Sequence, residues 1–154
     1  MGIEIERKFL VVDDSWLATA GEGRPCRQGY LVSGEGRTVR VRVIDESAFL
    51  TIKGPTAGIS RTEFEYEIPV TDAEGLFTLC GNLVEKIRYL VPHGGQVWEV
   101  DVFSGMNKGL VLAEIELETE QQVVELPAWL GREVSGDYRY YNGYLSRNPF
   151  ILWK

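Results

Sequence analysis

The sequence predicts an α+β protein that is mainly β: eight short antiparallel strands in a sheet or barrel, with a few short helices packed outside. Three observations carry this. Period-two alternation recurs in short runs, turn residues separate the runs, and helical spacing is confined to brief stretches. Six of the runs set a charged face against an apolar one: Glu4-Ile5-Glu6-Arg7-Lys8, Arg40-Val41-Arg42, Leu50-Thr51-Ile52-Lys53, Glu63-Phe64-Glu65-Tyr66-Glu67, Lys86-Ile87-Arg88 and Glu114-Ile115-Glu116-Leu117-Glu118. Successive side chains of a strand point to opposite faces, so each run has a wet or functional side and a side that must be buried.

Taken in order, strands are expected over 3–11, 27–32, 38–44, 48–53, 60–68, 84–91, 96–103 and 112–117. Ser33-Gly34-Glu35-Gly36, Asp45-Glu46-Ser47 and Pro92-His93-Gly94-Gly95 carry turn chemistry between them. Gly54-Pro55-Thr56-Ala57-Gly58 and Ser104-Gly105-Met106-Asn107-Lys108-Gly109 read as longer loops. Thr71 with Glu74 forms a capping box ahead of Leu76, Phe77, Leu79 and Cys80, which predicts a helix there. Thr119 with Gln122 predicts a second short helix ending near Pro127, and Asp137 caps a third over 138–146. A turn is expected over 13–18.

With 154 residues and no linker, repeat or low-complexity stretch, one domain over 1–154 is expected. The net charge of -7 excludes a non-specific nucleic-acid binder, and no apolar run is long enough to span a membrane. Cys26 and Cys80 are isolated, without metal or redox spacing, and no apolar signal region precedes Glu4, so a cytoplasmic location is expected. His93 reads as a turn residue and the four tryptophans as packing residues.

Against an acidic chain, the clustered cations are informative. Lys8, Arg40, Arg42, Lys53, Lys86 and Arg88 share parity within their strands, with Arg61 near a strand start. Pairs such as Arg40/Arg42 and Lys86/Arg88 suit adjacent phosphoryl groups, arginine through bidentate bonds and lysine as a point charge. Glu4, Glu6, Glu63, Glu65, Glu114 and Glu116, with Asp101, supply the hard oxygen donors that a divalent ion such as Mg²⁺ prefers. A plainer reading is a solvated strand face with cross-strand ion pairs. Segregation of cations and anions in six segments, each opposite an apolar face, weighs against it.

Glu4-Ile5-Glu6-Arg7-Lys8-Phe9-Leu10-Val11 resembles the N-terminal ExExK signature of the CYTH superfamily, the triphosphate tunnel metalloenzymes. Arg27-Gln28-Gly29-Tyr30-Leu31, Arg40-Val41-Arg42, Thr51-Ile52-Lys53, Arg61-Thr62-Glu63-Phe64-Glu65, Glu85-Lys86-Ile87-Arg88-Tyr89, Glu99-Val100-Asp101-Val102-Phe103 and Glu114-Ile115-Glu116 extend the likeness over nearly the whole chain. The resemblance implies a closed eight-stranded tunnel and metal-dependent hydrolysis of inorganic triphosphate. It places Glu4, Glu6, Glu114 and Glu116 at metal positions, with Asp101 beside them, for Mg²⁺ or Mn²⁺. Lys8, Arg40, Arg42, Lys53, Arg61, Lys86 and Arg88 fall at phosphate positions, and Arg139 at a C-terminal basic position. Glu63 and Glu65 match an acidic pair near a second metal or the attacking water, and with Lys86 they form the expected catalytic set. Thiamine triphosphatase, nucleoside triphosphatase, adenylate cyclase and a non-catalytic polyphosphate-binding module are the alternatives. The expected partner is a triphosphate-containing small molecule, with no nucleic acid or membrane, for a monomer or homodimer.

Overall fold

The computed structural model describes residues 2–34 and 36–153. Among the described residues nine strands form: β1 (Gly2–Val11), β2 (Arg24–Gly34), β3 (Arg37–Ile44), β4 (Ser47–Ala57), β5 (Ser60–Ile68), β6 (Val84–His93), β7 (Gln96–Phe103), β8 (Val111–Glu116) and β9 (Leu130–Glu133). Helix α1 spans Val70–Phe77 and α2 spans Asn142–Arg147, with 3-10 turns at Ser15–Ala18, Gly105–Asn107, Tyr138–Tyr140 and Phe150–Leu152. The antiparallel pairings run β5-β4-β3-β2-β6-β7-β8-β1, and β5 returns to β1 with Ile3 opposite Thr62 and Glu4 opposite Arg61. The sheet therefore closes into an eight-stranded barrel, the seam being the four residue pairs between Gly2–Ile5 and Ser60–Glu63. Strand β9, which the alternation did not reveal, is only four residues long and pairs with β1 at Phe9 and Val11.

The hairpins follow the turn residues. Ile44 opposes Ser47 across Asp45-Glu46, and His93 opposes Gln96 across Gly94-Gly95. Both of these glycines have positive φ, 59° and 76°, the conformation a two-residue turn of this hand requires. Glu35 of the predicted Ser33–Gly36 turn lies outside the described residues. The loop expected at 54–58 is instead strand: β4 crosses a register shift between Lys53 and Thr56 and continues to Ala57.

The helix starts were less legible. α1 begins after Pro69, whose carbonyl accepts from the Asp72 and Ala73 N–H groups, and no side chain caps it. Thr71 thus lies inside the helix and the capping box does not form. At 119–122 there is a turn, not a helix; Gln122 Oε1 accepts from the Glu118 N–H at 2.6 Å, and Val123 is left exposed. Of the apolar residues in that stretch Val124 enters the core while Val123 and Leu126 stay exposed, too narrow a face to stabilise so short a helix. Asp137 does cap, accepting from the Arg139 N–H, but it caps a 3-10 turn that breaks before α2.

Outward-facing apolar residues are covered from outside. Helix α1 places Ala73 and Phe77 on Val41, Val43 and Ala48. On the opposite wall Phe9, Trp98, Ile115 and Trp129 pack together, with Phe9–Trp98 and Trp98–Trp129 ring centroids 5.7 and 6.0 Å apart. At one end of the barrel the inward positions change character. Leu10, Val84, Phe103 and Leu112 continue the parity of Lys8, Lys86, Asp101 and Glu114, but are apolar. They pack with Val134, Tyr140 and Leu145 from the C-terminal segment, so α2 closes that end while α1 stays outside.

Candidate active site in the barrel lumen

The inward positions that remain line one cavity of about 640 Å³. Its wall includes Glu4, Glu6, Lys8, Arg40, Arg42, Lys53, Arg61, Glu63, Glu65, Lys86, Arg88, Glu114 and Glu116, all singled out from the sequence. Strand order separates most of them by sign. Acids come from the neighbours β8, β1 and β5, whereas Arg40 and Arg42 on β3 and Lys86 and Arg88 on β6 stand across the ring on either side of β2. Lys8 on β1 and Arg61 on β5 are the cations set among the acids.

The acidic wall is crowded. Glu6 opposes Glu116, Lys8 opposes Glu114 and Glu99 opposes Glu114 in register. Burial, with the charges of Glu114 and Glu4, pushes the Glu6 carboxyl well above its ordinary range, and a side-chain hydrogen bond with Glu114 adds to the rise. Glu114 is buried too, but the charges of Lys8 and Arg88 outweigh that and hold it well below the ordinary range. Burial and four neighbouring carboxylates raise Glu116. Glu63 is raised by burial and by Glu4, with Lys53 opposing. Lys53 Nζ donates to Glu4 Oε1 at 2.8 Å and lies 3.5 Å from Glu63.

On the basic wall, Arg40 Nη2 reaches Thr51 Oγ1 at 3.1 Å and Glu65 at 3.5 Å, while Thr51 donates to Glu65 at 2.7 Å. Lys86 Nζ donates to Asp101 Oδ2 at 2.8 Å, and Arg88 donates to both Asp101 oxygens at 2.8 and 2.9 Å. Burial raises the Asp101 carboxyl, but the two cations outweigh it and bring it down to about 2. Burial lowers the Lys86 ammonium to about 8, opposed by Asp101. Physically, one carboxylate shared between two buried cations leaves Lys86 short of negative charge.

Two sequence expectations are corrected by this geometry. Asp101 does not face the cavity; it is 1% exposed beneath Lys86 and Arg88, with both oxygens taken, and Glu99 lines the cavity in its place. Arg139 is also absent from the lining, because its guanidinium forms two bonds to Asp137 at 2.9 and 2.6 Å. Arg37 and Arg147 line the cavity instead, together with Tyr30, Tyr138, Tyr141 and Tyr144. Tyr141 lies under Lys8 and Arg61, with ring distances of 5.5 and 6.0 Å. Outside any alternating strand, these C-terminal residues carry no periodic signal that would have exposed them.

The acidic donors fit a hard divalent cation. They are all carboxylate oxygens, and after burial it is the charges of Glu114 and Glu4 that raise the Glu6 carboxyl, a clustering of negative charge that a bound cation would relieve. Among the described residues no three of them already converge on one point, since Glu4 is turned to Lys53 and Glu65 to Thr51 and Arg40.

A closed antiparallel barrel with a charged lumen and a C-terminal plug defines the architectural class. Residues 2–143 match the CYTH domain family, and the chain belongs to it. It is 50% identical to an inorganic triphosphatase of Acetivibrio thermocellus over 156 residues, covering 100% of this chain and 99% of the relative. An inorganic triphosphatase of Nitrosomonas europaea is 41% identical over 149 residues, covering 90% and 93%. A crystal structure of an inorganic triphosphatase superposes with a TM-score of 0.66 at 38% identity, covering 93% of each chain. Membership implies dependence on a divalent metal ion. No helix among the described residues is long and apolar enough to cross a membrane.

Proposed function

We propose that this protein is an inorganic triphosphatase that uses Mg²⁺ or Mn²⁺. The observation that carries the proposal is the opposition of a basic and an acidic wall within one cavity of about 640 Å³. The two relatives named above as inorganic triphosphatases support it over nearly their full length.

In this reading Arg40, Arg42, Lys86 and Arg88, with Lys8, Lys53 and Arg61, hold the phosphoryl groups. Glu4, Glu6, Glu114 and Glu116 hold the divalent ion. When bound, that ion neutralises phosphoryl oxygens and orients the leaving group. Water attacks the terminal phosphorus, the anhydride P–O bond breaks, and orthophosphate and pyrophosphate leave. Glu63, raised by burial, accepts the water proton, while Glu65, held by Thr51 and Arg40, orients the nucleophile. Lys86 and the arginines offset the charge that develops on the leaving oxygen, and such positioning and charge stabilisation is most of what phosphoryl transfer needs.

The four tyrosines on the lining support a second reading, in which an organic group such as thiamine or a nucleoside accompanies the triphosphate. The proposal also takes the chain as one domain over 1–154, cytoplasmic, monomeric or homodimeric, and without nucleic-acid or membrane partners. A phosphate-release screen across inorganic triphosphate, longer polyphosphates, thiamine triphosphate and ATP, with and without divalent metal, tests it. Inorganic triphosphate should turn over fastest and only with metal. Tight binding without phosphate release would make the protein a binding module, and cyclic nucleotide from ATP would make it a cyclase.

A further inference from the structure

Asn142, the first residue of α2, is buried between the plug and the basic wall. Its Oδ1 accepts from Gln28 Nε2 at 2.8 Å and from Lys86 Nζ at 2.9 Å. Gln28, fully buried on β2, in turn accepts from Arg42 Nε at 3.1 Å through its Oε1. Arg42, Gln28, Asn142, Lys86, Asp101 and Arg88 thus form one unbroken chain of hydrogen bonds. Three cations of the basic wall are tied together in it, and two of the connecting groups are neutral amides.

The choice of amides has a physical consequence. Arg42 is pressed by burial and by the charges of Arg40 and Arg88. Such cations need acceptors to stay in place, since an unmade buried hydrogen bond is costly. A carboxylate would hold them but would cancel the charge intended for phosphate. An amide oxygen holds them and leaves that charge uncancelled. Of the three ammonium protons of Lys86, Asp101 takes one and Asn142 a second. Among the described residues no other hydrogen-bond acceptor takes from Lys86, whose ammonium lies 5.4 Å from the Phe103 ring centroid and lines the cavity, so a third donor remains for a ligand there.

We propose that Asn142, carried on the C-terminal plug, is a positioning residue that aims the Lys86 ammonium at the bound triphosphate while preserving its charge. The inference rests on the triphosphatase reading, in which Lys86 contacts substrate. It makes the plug a supplier of active-site geometry as well as a closure of the barrel.

The test is a double-mutant cycle of Asn142→Ala with Lys86→Ala, read in kcat/KM for inorganic triphosphate and in triphosphate affinity by calorimetry in chelator. Asn142→Ala should lose about tenfold in the wild-type background and less than about twofold once Lys86 is gone. Equal losses in both backgrounds would mean that Asn142 acts through packing alone, and would overturn the proposal. Lys86→Ala by itself judges the underlying reading: full activity there removes Lys86 from the site. Asn142→Asp guards against a folding defect, because it keeps the shape and both accepted bonds. It should retain the wild-type melting temperature yet weaken triphosphate affinity about tenfold, and unchanged affinity would sink the charge argument.

Discussion

Asp101→Asn should strongly destabilise this protein, although Asp101 touches neither cavity nor solvent. The carboxylate is 1% exposed and accepts three bonds of 2.8 to 2.9 Å from Lys86 and Arg88. Its carboxyl sits at about 2 against an ordinary 3.8, which at about 1.4 kcal/mol per unit gives a net contribution of about 2–3 kcal/mol. The amide also leaves two buried cations without their counterion, and breaking a buried pair in this way costs about 3–5 kcal/mol. For a chain of this size that loss lowers the melting temperature by about 6–20 °C. The sign with pH follows from the depressed value. The unfolded chain takes up the proton first as pH falls, so the contribution is complete above about pH 4 and disappears as pH drops through about 2. Thermal unfolding from neutral to acid pH should therefore show wild type and variant separated at neutrality and converging near pH 2. A gap that is absent at pH 7, or that persists undiminished in acid, would refute the account of the buried counterion.

Glu116→Gln, nearly isosteric and at an exposed position of the cavity wall, should leave the melting temperature within a degree or two while lowering turnover at least about tenfold, with excess Mn²⁺ giving partial recovery; full turnover in chelator with metal-free protein would rule out the metal role. Arg139→Ala should keep near-normal kcat/KM, because that guanidinium is engaged with Asp137 away from the cavity, and a tenfold loss would show that the plug rearranges to bring it in. Lys86, lowered by burial to about 8, holds its charge below that pH and loses it above. Triphosphate affinity measured by calorimetry in chelator should then fall as pH rises through about 8, and a flat profile up to about pH 9.5 would contradict it.

The alternation of β1, β3, β5, β6 and β8 was enough to determine which side chains share a face, because a strand has only two sides and a one-residue slip would bury every charge. Glu4, Glu6, Lys8, Arg40, Arg42, Lys86, Arg88, Glu114 and Glu116 were legible for that reason, and all reach one cavity. Parity says nothing of depth. Glu99 and Asp101 point the same way, yet only the closed barrel shows that Glu99 lines the cavity while Asp101 lies lower, at the level of Leu112, where the lining turns apolar. Nor does a local pattern report what arrives from elsewhere in the chain. Ring closure set the acids of β8, β1 and β5 across from the cations of β3 and β6. The return of α2 into the barrel end gave Asn142 its contacts with Gln28 and Lys86, residues 114 and 56 positions away. Local alternation fixed the direction of each side chain, whereas its depth and its partner depended on contacts between segments far apart in the sequence.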